Sequence, residues 1–221
     1  EESIKVRREM GDRQGIAISV MNLGNSFYNE GKYEKATLLY DESARIYEEI
    51  GDLSGFSESL YNLGKVEFAI GEIEKAEDYF RRGLQISREV KADSFIVINL
   101  YGLAKTASWK NEIDKARQYY RDSLKLYQEM GNRKDIDLNL LWMSELCYRI
   151  EKYSDAVRLL GFIDGEFLER KNIVLPKSDQ TVYDETIMKL KEHLDEEEFS
   201  KYFEEGKVLN FDQVIYLAMS V

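Results

Sequence analysis

Leu23, Leu63, Leu103 and Met143 stand 40 positions apart, with no gap needed to keep them in step. The small residues beside them follow the same interval: Gly24, Gly64, Ala104 and Ser144. So do Ala36, Ala76, Ala116 and Ala156, and the large apolar series Tyr40, Phe80, Tyr120 and Leu160. A fixed period in this range marks a solenoid, in which each unit buries its apolar face only by stacking on its neighbours. Such a chain offers an extended interaction surface before it offers an active site.

Each unit reads as two helices. Ile16, Val20, Leu23, Phe27 and Tyr28 fall at helical spacing, and Glu30-Gly31-Lys32 interrupts them. Tyr33, Ala36, Leu39, Tyr40, Ser43 and Tyr47 make the second helix, which Gly51-Asp52 ends. Gly31, Gly71 and Asn111 sit where the chain turns within a unit, and both residue types tolerate left-handed backbone. Gly11, Gly51 and Gly131 serve between units, with Lys91 as the exception. Gly24 and Ala36 are small so that two helices can approach closely.

The order Leu-Gly, then an aromatic, then Ala, an aromatic and a small residue resembles the tetratricopeptide repeat. Leu23, Gly24, Phe27, Ala36, Tyr40 and Ser43 carry it in the first unit; Leu63, Gly64, Phe68, Ala76, Phe80 and Gly83 carry it in the second. The usual late proline is missing and the unit exceeds 34 residues, so the chain is similar to the long-helix variety of the family. The fold this implies is all-α: a right-handed superhelical solenoid of antiparallel helix pairs with a C-terminal helical cap. The expected division is a partial unit at 1–12, units near 13–50, 51–90, 91–130 and 131–171, and capping helices over 172–221. Residue 1 then falls inside the second helix of an earlier unit, which suggests a piece of a longer protein.

Past Ala156 the register fails. Phe162, Ile163, Phe167 and Leu168 extend a helical stripe, and Leu175-Pro176 closes it. A helix is expected from about Ser178 to Leu194. Asp195 caps the next, with Glu196, Glu197 and Glu198 at its positive end; Gly206 stops it and Asn210 caps a last one. Leu159-Leu160-Gly161, Leu175-Pro176, Tyr183, Phe199, Phe203, Gly206, Leu209 and Val214 together resemble the C-terminal end of STAND-type signal-transduction ATPases and transcriptional regulators. In that group the order leads through an acidic helix to a final cap. Phe203 stands where tryptophan is common, and Asn210-Phe211 replaces a Ser-Leu kind of start.

Composition narrows the chemistry. A net charge of −11 opposes nucleic-acid binding, although Arg7, Arg8 and Arg13 form a local basic cluster. No run of 18 apolar residues exists, so no membrane span is expected, and the Glu1-Glu2 start does not read as a secretion signal. Cys147 is the single cysteine, which suits the cytoplasm and a buried, inert thiol. His193, the single histidine, reads as a solvated surface residue, and no second one exists to build a zinc site. No catalytic, metal or cofactor constellation and no G-x-x-x-x-G-K-[ST] is present, so a non-enzyme with no cofactor is expected.

By the resemblance, the first helix of each unit lines a concave groove. Candidate contacts there are Asn22, Asn25 and Asn29; Tyr61, Asn62 and Lys65; Tyr101, Lys105 and Trp109; and Trp142, Glu145 and Arg149. Asparagine both donates and accepts, which suits an extended peptide backbone, and Tyr and Trp supply rigid anchors. Asn22 and Asn62 have the alternative of bonding an adjacent helix, and the two tryptophans that of packing. The resemblance implies a sensor or arm domain of a STAND-type ATPase, binding a protein, a peptide or a small-molecule inducer and acting on other domains of its parent chain. The alternative is a freestanding adaptor that holds an extended peptide.

Overall fold

The computed structural model describes the backbone of residues 2–131, 136–169, 175 and 177–221, and their side chains apart from residues 2–4, 167–169, 177 and 178. Among the described residues every regular element is helical. The contacts divide the chain into two compact units, 1–106 and 107–221.

The first unit begins with α1 (Glu2–Met10), followed by the pairs α2 (Arg13–Asn29) with α3 (Tyr33–Ile50) and α4 (Leu53–Ala69) with α5 (Ile73–Glu89). It ends within α6 (Asp93–Trp109). Asp12 and Asp52 start α2 and α4 by accepting the backbone N–H of Gly15 and Gly55 at 2.9 and 3.0 Å. Each helix ends where one residue turns left-handed: Gly11, Gly31, Gly51 and Gly71, and Lys91 at φ 56°. With connections this short, successive helices lie as antiparallel neighbours. Small residues set the closeness of the pairs. A Cβ on Gly24 would meet the Tyr40 ring at 2.8 Å, and one on Gly64 the Phe80 ring at 2.6 Å. In the third repeat Ala104 replaces that glycine, and Gly102 gives Phe80 a second close approach, at 2.5 Å from a Cβ there.

The core of this unit is Ile16, Ala17, Val20, Ala36, Tyr40, Leu60, Leu63 and Val66. Leu23 departs from the expected series. It stays half-buried where Leu63 and Leu103 are buried, because no first helix precedes α2 among the described residues. Polar staples join consecutive repeats: Ser59 Oγ lies 3.3 Å from Ser43 Oγ, and Asn99 Nδ2 donates to Ser57 Oγ at 3.3 Å. Ser57 in turn donates to the Gly83 carbonyl at 2.8 Å.

The second unit holds the end of α6, then α7 (Ile113–Glu129), α8 (Asp137–Arg149) and α9 (Tyr153–Ile163), which runs on as a π-helical turn over Asp164–Glu169. Then come α10 (Lys177–Lys191), α11 (Glu196–Lys207) and α12 (Phe211–Ser220). Asn111 and Glu151 turn left-handed at φ 61° and 62°, so the turn position continues even where glycine is lost. Asn139 Nδ2 donates to Ser123 Oγ at 2.5 Å, the Ser43–Ser59 staple two periods on. Asp195 caps α11 and Asn210 caps α12 with a full capping box, as the sequence implied.

Gly206 does not stop α11, which continues through Lys207. Its role is packing: a Cβ there would run into the Arg158 carbonyl of α9, and one on Gly161 into the Phe203 carbonyl of α11. The two glycines let these helices cross backbone to backbone. The expected closing Pro176 and the stripe residues Phe167 and Leu168 fall outside the described side chains.

Candidate interaction surface

Charge is unevenly shared in the first unit. The first helix α2 carries no carboxylate at all, and α4 carries only Glu58 and Glu67. The second helices are densely charged: α3 holds Glu34, Asp41, Glu42, Glu48 and Glu49 against Lys35 and Arg45, whereas in α5 Glu74, Glu77, Asp78 and Glu89 are balanced by Lys75, Arg81, Arg82 and Arg88. Charged groups of both signs therefore crowd the second helices, with a negative excess on α3. The first-helix side presents amides, rings and ammonium groups.

The sequence-chosen residues of this unit fall into three kinds. Asn22 and Asn29 are exposed. Asn25 accepts the Tyr40 hydroxyl at 2.7 Å, so it fixes the helix pair from inside. Asn62 is 4% exposed and its Oδ1 accepts from Lys65 Nζ at 3.4 Å, so it is held within the wall. Lys65 and Lys105 are seated over rings. Lys65 Nζ lies 4.6 Å from the Tyr28 centroid and 5.6 Å from that of Tyr61; Lys105 Nζ lies 4.9 Å from Phe68 and 5.3 Å from Tyr101. Each lysine thus spans its own helix and the preceding first helix. Tyr28 and Phe68 were missed from sequence, because the pairing joins residues nearly a full repeat apart. Tyr61 also packs on Phe80 at 5.6 Å, and Tyr101 is buried.

Beside Lys65, burial pushes the Glu58 carboxyl above its ordinary range, against the lowering effect of the Lys65 ammonium. Burial, aided by Glu58 and Asp52, pushes Tyr47 up to about 12. A cleft of about 470 Å³ opens elsewhere in the unit, lined by Arg8, Arg13, Ile16, Leu38, Arg45 and Glu49 among others. Its basic rim is matched by carboxylates. Arg8 pairs with Glu42 at 2.6 Å, Arg13 pairs with Glu49, and nearby Arg7 meets Asp12 at 2.8 Å. The basic cluster seen in sequence is therefore charge-paired.

In the second unit the candidates are engaged with one another. Arg149 donates to the Ser108 carbonyl, to Ser108 Oγ at 3.1 Å and to Asn111 Oδ1 at 3.0 Å. Glu145 accepts from Ser108 Oγ at 3.4 Å and lies 3.8 Å from Arg149 Nε; burial raises its carboxyl, with Arg149 opposing. Trp142 Nε1 donates to Asp179 Oδ1 of α10 at 2.9 Å. Trp109 is 63% exposed, which removes the packing reading for it. The Tyr120 hydroxyl is fully buried and has no hydrogen-bond partner among the described residues.

Cys147 is buried, and burial pushes its thiol far above the ordinary range, as expected of an inert thiol. His193 is exposed but not merely solvated. Its ring lies 4.7 Å from that of Tyr153 and 5.6 Å from that of Tyr148, and Nδ1 is 2.9 Å from the Lys189 carbonyl. Among the described residues no cluster of three or more His, Cys, Asp or Glu could hold a metal, and no helix is long and apolar enough to cross a membrane.

The tetratricopeptide repeat family profile matches residues 15–89 and again 55–129. No curated protein matches the sequence. Among solved structures, the chain is similar to BtubC (BKLC) from P. vanneervenii, with a TM-score of 0.67 and 16% identity over 99% of this chain and 88% of that one. It is also similar to a Podosopora anserina protein described as a kinesin light chain with nearly identical TPR-like repeats, with a TM-score of 0.58 and 13% identity over 86% and 92% of the two chains. At these identities the likeness is one of fold.

Proposed function

Because the chain belongs to the tetratricopeptide repeat family, we propose that it is a non-catalytic binding module whose first-helix face in the first unit holds an extended segment of a partner protein. The observation that carries this is the division of that unit into densely charged second helices and first helices that present exposed amides and ring-seated lysines. Asn22 and Asn29 supply paired donors and acceptors for a peptide backbone. Tyr28, Tyr61 and Phe68 give rigid area beside the ammonium groups. Asn25 and Asn62 serve by positioning their neighbours. A peptide array probed with the chain tests this. Asn22→Ala with Asn29→Ala should cut peptide signals at least about tenfold while thermal stability holds, since exposed substitutions shift it by about 0.5 kcal/mol or less. Unchanged signals would refute the assignment.

The more specific form of the proposal makes the chain the sensor arm of a multidomain, cytoplasmic STAND-type ATPase or transcriptional regulator. A ligand with different affinity for the resting and assembled states would then shift the balance between them. Support comes from the tail, where Gly161 and Gly206 of the resembling motif meet at one close helix crossing. The coding sequence upstream of Glu1 tests it. A G-x-x-x-x-G-K-[ST] there supports the arm, and further repeats alone support a freestanding adaptor.

A further inference from the structure

We infer that α10 is a releasable latch over α8, whose departure uncovers the Trp142 face of the fourth repeat. The contrast with its neighbour α9 is the starting point. α9 buries Ala156, Val157, Leu159, Leu160, Phe162 and Ile163 within eleven residues. α10 is longer, yet among its described side chains it fully buries only Asp179, Tyr183, Thr186 and Leu190, with Val182 and Ile187 half-buried. Thr186 spends its hydroxyl on the Val182 carbonyl of its own helix at 2.7 Å, and Met188 faces solvent. The docking face is half polar.

What lies beneath it is not at rest. The Tyr120 hydroxyl is buried without an acceptor, and both Glu145 and Asp179 act on it electrostatically. Its counterpart Tyr40 has Asn25 as acceptor, whereas the residue at the matching position for Tyr120 is Lys105, which has none. The Glu145 carboxyl is raised by its own burial. Water reaching these groups when α10 leaves would relieve both costs. A segment with few buried apolar contacts and unrelieved polar groups opens at a lower free energy than the body it covers.

The closed position is defined at both ends. Trp142 holds Asp179 at 2.9 Å, and the His193 ring just beyond α10 rests on Tyr148 and Tyr153. Trp142 occupies in the fourth repeat the period position of Asn22 and Asn62. Opening therefore exposes an aromatic anchor on the second unit's own first helix; its use in binding, unlike the opening itself, rests on the role proposed above.

Amide hydrogen exchange followed by mass spectrometry on the whole chain tests the latch. Amides of 179–190 should exchange at least about 100-fold faster than those of 153–163, given how much less apolar surface α10 buries. Tyr120→Phe should slow α10 exchange about 5- to 30-fold by removing the orphan hydroxyl, and slow α9 by no more than that factor. Asp179→Ala should speed α10. Equal exchange of the two helices, or an α10 rate that neither variant moves, would overturn the latch. That result would leave peptide capture by Asn22 and Asn29 intact, so the two readings fail separately.

Discussion

Tyr40 and Tyr120 are the same residue at the same place in the period, and removing one oxygen from each should have opposite effects. Tyr40→Phe breaks a 2.7 Å hydrogen bond and strands the Asn25 carbonyl oxygen, which costs about 0.5–1.5 kcal/mol. Tyr120→Phe removes a hydroxyl that is buried without a partner, an arrangement that costs about 1–3 kcal/mol. The lost oxygen leaves a small void, worth a few tenths of a kcal/mol at about 24 cal/mol per Å³. The net expectation is stabilisation of about 1 kcal/mol, or about 2–4 °C in Tm for a chain of this size. Phe80 occupies the intervening repeat fully buried, so the site accepts phenylalanine sterically. Urea titrations of both variants, read by circular dichroism, give the comparison. If Tyr120→Phe destabilises the chain as Tyr40→Phe does, the hydroxyl has a partner and the reasoning is wrong.

Other consequences are as direct. Gly161→Ala should cost about 1–3 kcal/mol or more in a urea melt, because its methyl meets backbone rather than a movable side chain. Lys91→Gly should stabilise by up to about 1 kcal/mol, since the left-handed angle costs a non-glycine about 1–2 kcal/mol and glycine returns only part of that as chain entropy. The raised Glu58 and Glu145 carboxyls bind protons more readily folded than unfolded. Their contribution is therefore most favourable at low pH and is lost as pH rises from the ordinary glutamate value of 4.5 through the raised folded value. Urea midpoints measured across that window should fall less steeply in Glu58→Gln than in the parent; an identical slope would count against a desolvated Glu58.

Helix order was legible because the period multiplies each weak local signal. One glycine says little, but Gly11, Gly31, Gly51 and Gly71 at a constant interval describe a turn geometry. Glu151 escaped notice since its residue type carries no left-handed preference; only its place in the series marks it. The tail was read less well at Gly206. A buried helical glycine and a terminating one look alike until the opposing backbone of Arg158 is in view. The interaction surface was harder still. Helical spacing correctly put Lys65 and Lys105 on the first helices, but their seats on Tyr28 and Phe68 depend on how one repeat stacks on the next. The partners of Trp142 and Arg149 lie likewise on other elements, at Asp179, Ser108 and the turn residue Asn111.

The staples between repeats bear on how such a chain can change length. Excising residues 51–90 would bring Lys91, already left-handed at φ 56°, to the place of Gly51 at φ 73°. Ser43 would then meet Asn99 in place of Ser59, a serine–asparagine pair of the kind that Ser123 and Asn139 already make. The joint is interchangeable. A gene that gains or loses 120 base pairs in frame, about three per residue for one unit, yields a shorter or longer protein whose junction chemistry is already in use, so recombination can retune reach without inventing a new contact.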